Sequence, residues 1–204
     1  MISLKHISKK FQRHWIFKDI NYSFSPNSTY ALLGPNGCGK STLLRVISGI
    51  QAPSVGKVYY AINDKNVSVN RIFPHIAYAA PGQEIIEELT LSEFLSFHFK
   101  FKQPINNMSV KDIIETIGLQ DAADKPIADY SSGMKQRVKL AQAIFSDTPI
   151  LLLDEPCSNL DQNGVRQYTS WIEEHKTNRL VIVASNDERE YFFCKEQIKV
   201  EDYK

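Results

Sequence analysis

Long apolar runs are missing from this sequence. Nowhere in its 204 residues does an uninterrupted hydrophobic stretch approach the length of a membrane span, so no spanning helix is expected. A dominant charge is missing too: 24 Lys and Arg face 23 Asp and Glu, a net charge of +1, which gives no global field toward nucleic acid or an anionic membrane. Nucleic acid is therefore not expected as a partner. Cysteine is scarce. Cys38, Cys157 and Cys194 are odd in number and lack metal-ligand spacing, which argues against a disulfide framework or a zinc site and suits a reducing compartment. They read as small, semi-apolar residues. The opening "MISLKHISKKF" alternates apolar and polar residues as a strand does and has no continuous apolar core, so it is not read as a leader. Internal repeats and low-complexity linkers are also absent. What remains is a cytosolic chain, 43% hydrophobic, long enough for one well-packed α/β domain or a domain with a small inserted subdomain.

Strand patterns occupy residues 2–7, 20–24, 30–33, 57–62, 76–80, 150–153 and 180–184. Helical patterns follow Gly39, run over 91–101 and 110–117, begin again near Ser132, and cover 161–176. Strand and helix alternate on either side of a consecutive helical block. The expectation is a mixed, mostly parallel sheet with an antiparallel N-terminal β part and an inserted helical subdomain: residues 1–82 and 147–204 form the core, residues 83–146 the insertion.

The strongest local signal is "GPNGCGKST", Gly34, Pro35, Asn36, Gly37, Cys38, Gly39, Lys40, Ser41 and Thr42, set directly after the apolar "YALL" and before the helical "TLLRVISGI". Glycines let successive backbone N–H groups turn inward as a nest, and the helix N-terminus adds its positive dipole end. Lys40 reaches the β and γ phosphates, and Ser41 ligates Mg2+. The stretch matches the phosphate-loop pattern of two fixed glycines, lysine and a hydroxyl residue; the alternative is a plain glycine-rich turn. In "PILLLDEP", four apolar residues fit a strand buried on both faces, and its two carboxylates fall at the carboxyl end, where open α/β sheets bind ligands. Asp154 then holds Mg2+ through water and Glu155 takes a proton from the water attacking the γ phosphate, although two acids at that position also suit a loop cap.

Phosphate loop and acidic strand leave kinases, GTPases, helicases and transport ATPases open. "YSSGMKQRVKLAQAI", just upstream of the acidic strand, discriminates. It resembles the signature of the ATP-binding-cassette family, Leu-Ser-Gly-Gly-Gln ahead of a basic, glutamine-containing helix start. Ser131 and Gly133 match, whereas Tyr130, Ser132 and Met134 depart; read alone, "SSG" is an ordinary helix cap. The resemblance covers essentially the whole chain. It implies that Ser131 and Gly133 meet the γ phosphate held by a second nucleotide-binding domain, that "SNLD", Ser158 to Asp161, is the D-loop crossing that interface, and that Phe11 stacks on adenine. Trp15 competes for that role, and both rings also suit a core. The implied cofactors are ATP and Mg2+.

Two positions break the family's pattern. One lies in "VIVASNDERE", where the last apolar run stops at Ser185 and delivers Asn186 in place of the family's switch histidine. An amide still donates N–H to a phosphate oxygen, but lacks a titratable ring and has a shorter reach; it also caps turns well. None of His6, His14, His75, His98 or His175 falls where it substitutes. The other is Pro81, which stands where the family has its Mg2+-sensing glutamine when counted back from "ELTLSE"; Gln83 or Glu84 takes that role only if the loop is re-routed. Binding is expected to be intact, and hydrolysis slow or partner-dependent.

Without membrane helices, the chain is expected to dock on separate transmembrane subunits at the cytoplasmic face. The spelling "SSGMKQR" looks most like ATPases serving ABC-2-type exporters. The docking groove is expected between the Pro81 loop and "LSEFLSFHFKF", where Phe94, Phe97 and Phe101 fall near one helical face, unless these rings are simply the insertion's core. A soluble, non-transport ABC ATPase and a weakly hydrolysing ATP-gated scaffold are the alternatives.

Overall fold

The computed structural model describes residues 1–204. Two sheets divide the strands. Strands β1 (Ile2–Phe11), β2 (His14–Phe24), β4 (Val55–Ile62) and β5 (Lys65–Val67) form an antiparallel sheet in the order β2-β1-β4-β5. Strands β3 (Thr29–Leu33), β6 (Ile76–Ala79), β7 (Ile150–Asp154), β8 (Leu180–Ala184) and β9 (Glu196–Lys199) form a parallel sheet in the order β6-β7-β8-β3-β9. The mixed character expected from the sequence is thus shared between a purely antiparallel and a purely parallel sheet.

The parallel sheet is the middle layer, and its period-2 pattern splits the core in two. Ala77, Ala79, Leu151, Leu153, Val181 and Val183 point into one apolar cluster with helices α2 (Leu91–His98), α3 (Val110–Thr116), α4 (Ser132–Ile144) and α5 (Gln162–His175). Ile76, Ile150, Leu152, Leu180, Ile182, Tyr30 and Leu32 point into the other, closed by helix α1 (Lys40–Ile47) and the antiparallel sheet. A strand covered on both faces needs apolar residues at every position, hence the unbroken "ILLL" and "LVIVA". Burying each such leucine or isoleucine contributes roughly 1.5–3 kcal/mol.

Side-chain caps set where the helices begin. Thr90 and Glu93 form a reciprocal capping box on α2, and Ser109 and Asp112 form another on α3. The Asp161 carboxylate accepts from the Gly164 N–H at 2.7 Å and starts α5. Some boundaries differ from the sequence reading. Strand β2 begins at His14 rather than residue 20, and α2 stops at His98 rather than 101. Strands β5 and β9 and the one-turn helix α6 (Glu188–Tyr191) carry no periodic pattern long enough to be read.

Candidate nucleotide site

Strand order brings the site together. Strand β8 lies between β7 and β3, so Leu33, Asp154 and Ala184 end side by side at the carboxyl edge of the parallel sheet. The loop Gly34–Gly39 leaves that edge and turns into α1. Gly39 has φ +110, and a Cβ there would lie 2.4 Å from Ile16 Cγ2, so only glycine fits between the loop and β2. Ile16 is the extra residue of a β-bulge, since Lys9 pairs with Phe17 and Lys10 with Trp15.

A cavity of about 200 Å3 opens at the loop, lined by Ile16, Asn36, Gly37, Gly39, Lys40, Ser41, Thr42 and Glu155. The Lys40 ammonium is buried and donates to the Gly34 carbonyl at 2.6 Å and the Pro35 carbonyl at 3.3 Å. The Ser41 hydroxyl donates to Asp154 Oδ1 at 2.9 Å. Asp154 is only 4% exposed; burial pushes its carboxyl above the usual carboxylate range, opposed by the Ser41 hydrogen bond. Two hard oxygens, a hydroxyl and a carboxylate, meet at the start of α1. No group of three or more His, Cys, Asp or Glu residues could hold a metal alone. That donor set fits Mg2+, which takes one or two protein oxygens and completes its shell from phosphates and water.

Glu155 stands beside this pair with φ +42, a left-handed conformation that a non-glycine residue adopts at a cost of about 1 kcal/mol or more. Its N–H donates to the Ala184 carbonyl at 2.9 Å, tying the exit of β7 to the end of β8. Its Oε2 accepts weakly from the Ser158 hydroxyl at 3.4 Å. Asn186, two residues beyond Ala184, donates from Nδ2 to Asn36 Oδ1 at 3.0 Å. The amide that ends the apolar run therefore touches the phosphate loop, besides lying in the turn that Ser185 Oγ closes by accepting from the Asp187 N–H at 2.8 Å.

The remaining sequence candidates lie elsewhere. Phe11 and Trp15 are 47% and 42% exposed at the β1–β2 hairpin, each under a lysine ammonium 5.2 Å from its ring, so neither is a core aromatic and neither lines the loop cavity. Ser131 caps α4 by accepting from the Met134 N–H at 3.3 Å. A Cβ on Gly133 would lie 3.0 Å from the Asn159 carbonyl, so the start of α4 packs on the Ser158–Asp161 loop. Gln136 strengthens that junction by donating to the Pro156 carbonyl at 2.8 Å. The Pro81 carbonyl accepts from the Lys139 ammonium, and Pro81, Gln83 and Glu84 line a separate hollow. None of them, and none of the five histidines, lines the loop cavity. His6 pairs with Asp19 at 2.7 Å, and His98 bonds Ser146 at 2.9 Å.

A larger groove of about 600 Å3 lies between α2 and the segment around Phe73. Phe94 is buried, but Phe97 and Phe101 are 44% and 59% exposed along it, their rings 5.2 Å apart, so these phenylalanines are only in part the insertion's core. Gln83 and Gln142 are among the residues around the groove, and Gln83 Oε1 and Gln142 Nε2 are buried beneath its surface without a hydrogen-bond partner. One residue at the sheet edge escapes sequence reading: Glu190, a buried acid whose carboxylate reaches the loop after Glu155. Nothing in "DERE" separates it from its exposed neighbours.

Comparison with known proteins shows the family of the chain. The family model described as "ABC transporter" matches residues 17–158. YybJ of Bacillus subtilis, an uncharacterised ABC transporter ATP-binding protein, is 30% identical over 188 residues, which cover 91% of this chain and 85% of that protein. The Fe(3+) ions import ATP-binding protein FbpC 1 of Pectobacterium atrosepticum is 30% identical over 206 residues, 98% of this chain but 58% of its own length. The uncharacterised ABC transporter ATP-binding protein YxlF of Bacillus subtilis is likewise matched over 62% of its length, at 31% identity and 91% of this chain. This chain therefore spans about three fifths of those two relatives. Among solved structures, the ATP-binding cassette MJ0796, a dimer bound to ADP and Pi, superposes with a TM-score of 0.82 at 21% identity, covering 98% of this chain and 95% of that one. A putative ABC transporter ATP-binding protein from Pyrococcus furiosus gives 0.81 at 22% identity, covering 99% and 98%. Those two share the fold. With the family model matching well over half of its length, across both the phosphate loop and the acidic strand end, this chain belongs to the ABC transporter family.

Proposed function

We propose that the chain binds ATP with Mg2+ at the phosphate loop and hydrolyses it as the nucleotide-binding subunit of a membrane transporter. The observation that carries the reading is the convergence of Lys40, the Ser41–Asp154 pair, Glu155 and Asn186 on one sheet edge. A phosphate competes with the Gly34 and Pro35 carbonyls for the Lys40 ammonium, a charge-assisted exchange in a partly dry site. Mg2+ on Ser41 and Asp154 supplies neutralisation of phosphate charge when bound. Glu155 has its Oε1 free of the Ser158 contact and takes the proton of the attacking water there. Asn186 Nδ2, released from Asn36, donates to a phosphate oxygen, and Phe11 stacks on adenine.

Ser131 and Gly133 are proposed to close over the γ phosphate of a second nucleotide-binding domain, with Ser158 and Asp161 at that interface. In this scheme residues 83–146 move as a lobe against the core. The 600 Å3 groove is proposed to receive a cytoplasmic segment of a separate transmembrane subunit, which would hold the chain peripherally at the cytoplasmic face. Its exposed phenylalanines and mostly apolar lining support an occupant with an apolar face. The export direction rests on the spelling of Ser131–Arg137 alone, while the iron relative is described as an importer. Asn186 and Pro81 favour a second reading, an ATP-gated scaffold that hydrolyses little.

Steady-state phosphate release with and without Mg2+ separates the two. In the first reading E155Q stops release yet keeps ATP bound, so a dimer accumulates with ATP and Mg2+ in size-exclusion chromatography with light scattering. A monomer at saturating ATP, with no phosphate released by the wild type, rejects the hydrolytic sandwich.

A further inference from the structure

The buried acid at the sheet edge has no part in the scheme above. Glu190 is 4% exposed. Its Oε1 accepts from the Cys157 N–H at 2.7 Å, its own N–H donates to the Asp187 carbonyl at 2.9 Å, and its carbonyl accepts from the Tyr168 hydroxyl at 2.7 Å. Cys157 lies two residues after Glu155, and Asp187 one residue after Asn186. Glu190 thus joins the loop leaving β7, the turn leaving β8, and helix α5. Between the two exits the backbone offers one bond beyond the β7–β8 ladder, from Glu155 N–H to the Ala184 carbonyl.

A carboxylate taken out of water must recover its lost hydration from fixed donors, and leaving the Cys157 N–H unpaired in that interior is also costly. Each group therefore holds the other in place. Burial pushes the Glu190 carboxyl up, and hydrogen bonds from Ser185 and the Cys157 N–H oppose that shift. The same serine hydroxyl closes the turn that carries Asn186.

We propose that Glu190 is a positioning residue for ATP hydrolysis: its carboxylate holds the exit loop of β7 against the turn of β8, fixing Glu155 and Asn186 relative to each other across the phosphate loop. The role rests on the hydrolytic reading above. Glu190 does not line the loop cavity; it acts through the Cys157 amide and the Asp187 turn.

Three variants test it in the full chain. E190Q keeps an acceptor oxygen of the same reach for the Cys157 N–H, whereas E190L keeps apolar volume without an acceptor, and E190M carries the same test if E190L does not fold. Expected is a fall in kcat for E190L of between about tenfold and a hundredfold, the penalty of a misplaced reacting group, with the Kd for ATP within about twofold and turnover largely rescued in E190Q. Hydrogen exchange gives a readout that needs no turnover: the Cys157 amide should exchange much faster in E190L than in the wild type or E190Q. A purely structural role predicts instead that kcat and ATP affinity fall together, in proportion to the loss in Tm. If the wild type hydrolyses ATP and E190L does so equally fast, the positioning role is overturned alone. If the wild type releases no phosphate, the hydrolytic reading falls and this role with it.

Discussion

Asn186 is a single side chain with two duties, and they separate in measurement. Its amide bonds Asn36 of the phosphate loop while its backbone sits in the turn between Ser185 and Asp187. The side chain is exposed, so truncation costs within about 0.5 kcal/mol of stability. A phosphate contact that strengthens in the transition state acts on rate instead, about tenfold for each 1.4 kcal/mol. Asn186→His, with a longer reach and a ring donor, should raise kcat, and Asn186→Ala should lower it, with Tm nearly constant in both. Equal turnover by all three proteins, assayed well below their melting temperatures, would remove Asn186 from the reacting groups. The residue was legible in the sequence because an apolar run ends on it, and an amide at a strand end asks for a reason. Glu190 was not, because a four-residue helix has no periodicity and burial of one acid among several is decided by packing alone. Ile16, which does line the loop cavity, was not legible either, because it reaches the loop as the extra residue of a β-bulge that no periodicity announces.

Helix α2 shows how far element-level reading goes. Its start was plain, because "TLSE" places a capping hydroxyl three residues before a glutamate, and both reciprocal bonds form. Its end was not: apolar spacing continues through Phe99 and Phe101, while the chain turns off after His98. His98 is half-buried and bonded to Ser146 beyond α4, and burial, aided by the Lys102 charge, lowers its pKa to about 4. A histidine whose folded pKa lies below its unfolded value of about 6.5 destabilises the fold on acidification. Its stabilising contribution is complete above pH 6.5, shrinks as pH falls toward 4, and is lost below that. The loss should be of the order of 3 kcal/mol. Urea unfolding from pH 7 to pH 4 should show this limb in the wild type, and His98→Gln, which retains a hydrogen bond to Ser146, should flatten it. The short strands β5 and β9 escaped notice for the opposite reason to α2: three and four residues, mostly exposed, give no pattern to read.

At the scale of the whole molecule, the loop cavity and the groove beside α2 share no lining residue, so damage to one should leave the other working. Replacing Phe97 and Phe101 together by serine removes exposed rings that support no core, and should leave phosphate release by the isolated protein unchanged while abolishing its retention on membrane vesicles from the source cells. Loss of basal release in parallel would mean that the groove is part of the catalytic fold rather than a docking face. Fold class was legible at this scale because alternation of strand and helix carries it; the division into two sheets was not, because strand partners are chosen by contacts across the whole length of the chain. Those partners have a consequence for biosynthesis. Strand β3, which launches the phosphate loop, pairs only with β8 and β9, residues some 150 positions later, so Tyr30 meets Ile182 and Glu196 on either side. A chain emerging from the ribosome displays its phosphate loop on a strand with both hydrogen-bonding edges bare until residues 180–199 have been added. The loop's supporting strand is therefore completed late: only chains in which residues 180–199 have joined the sheet hold β3 on both sides.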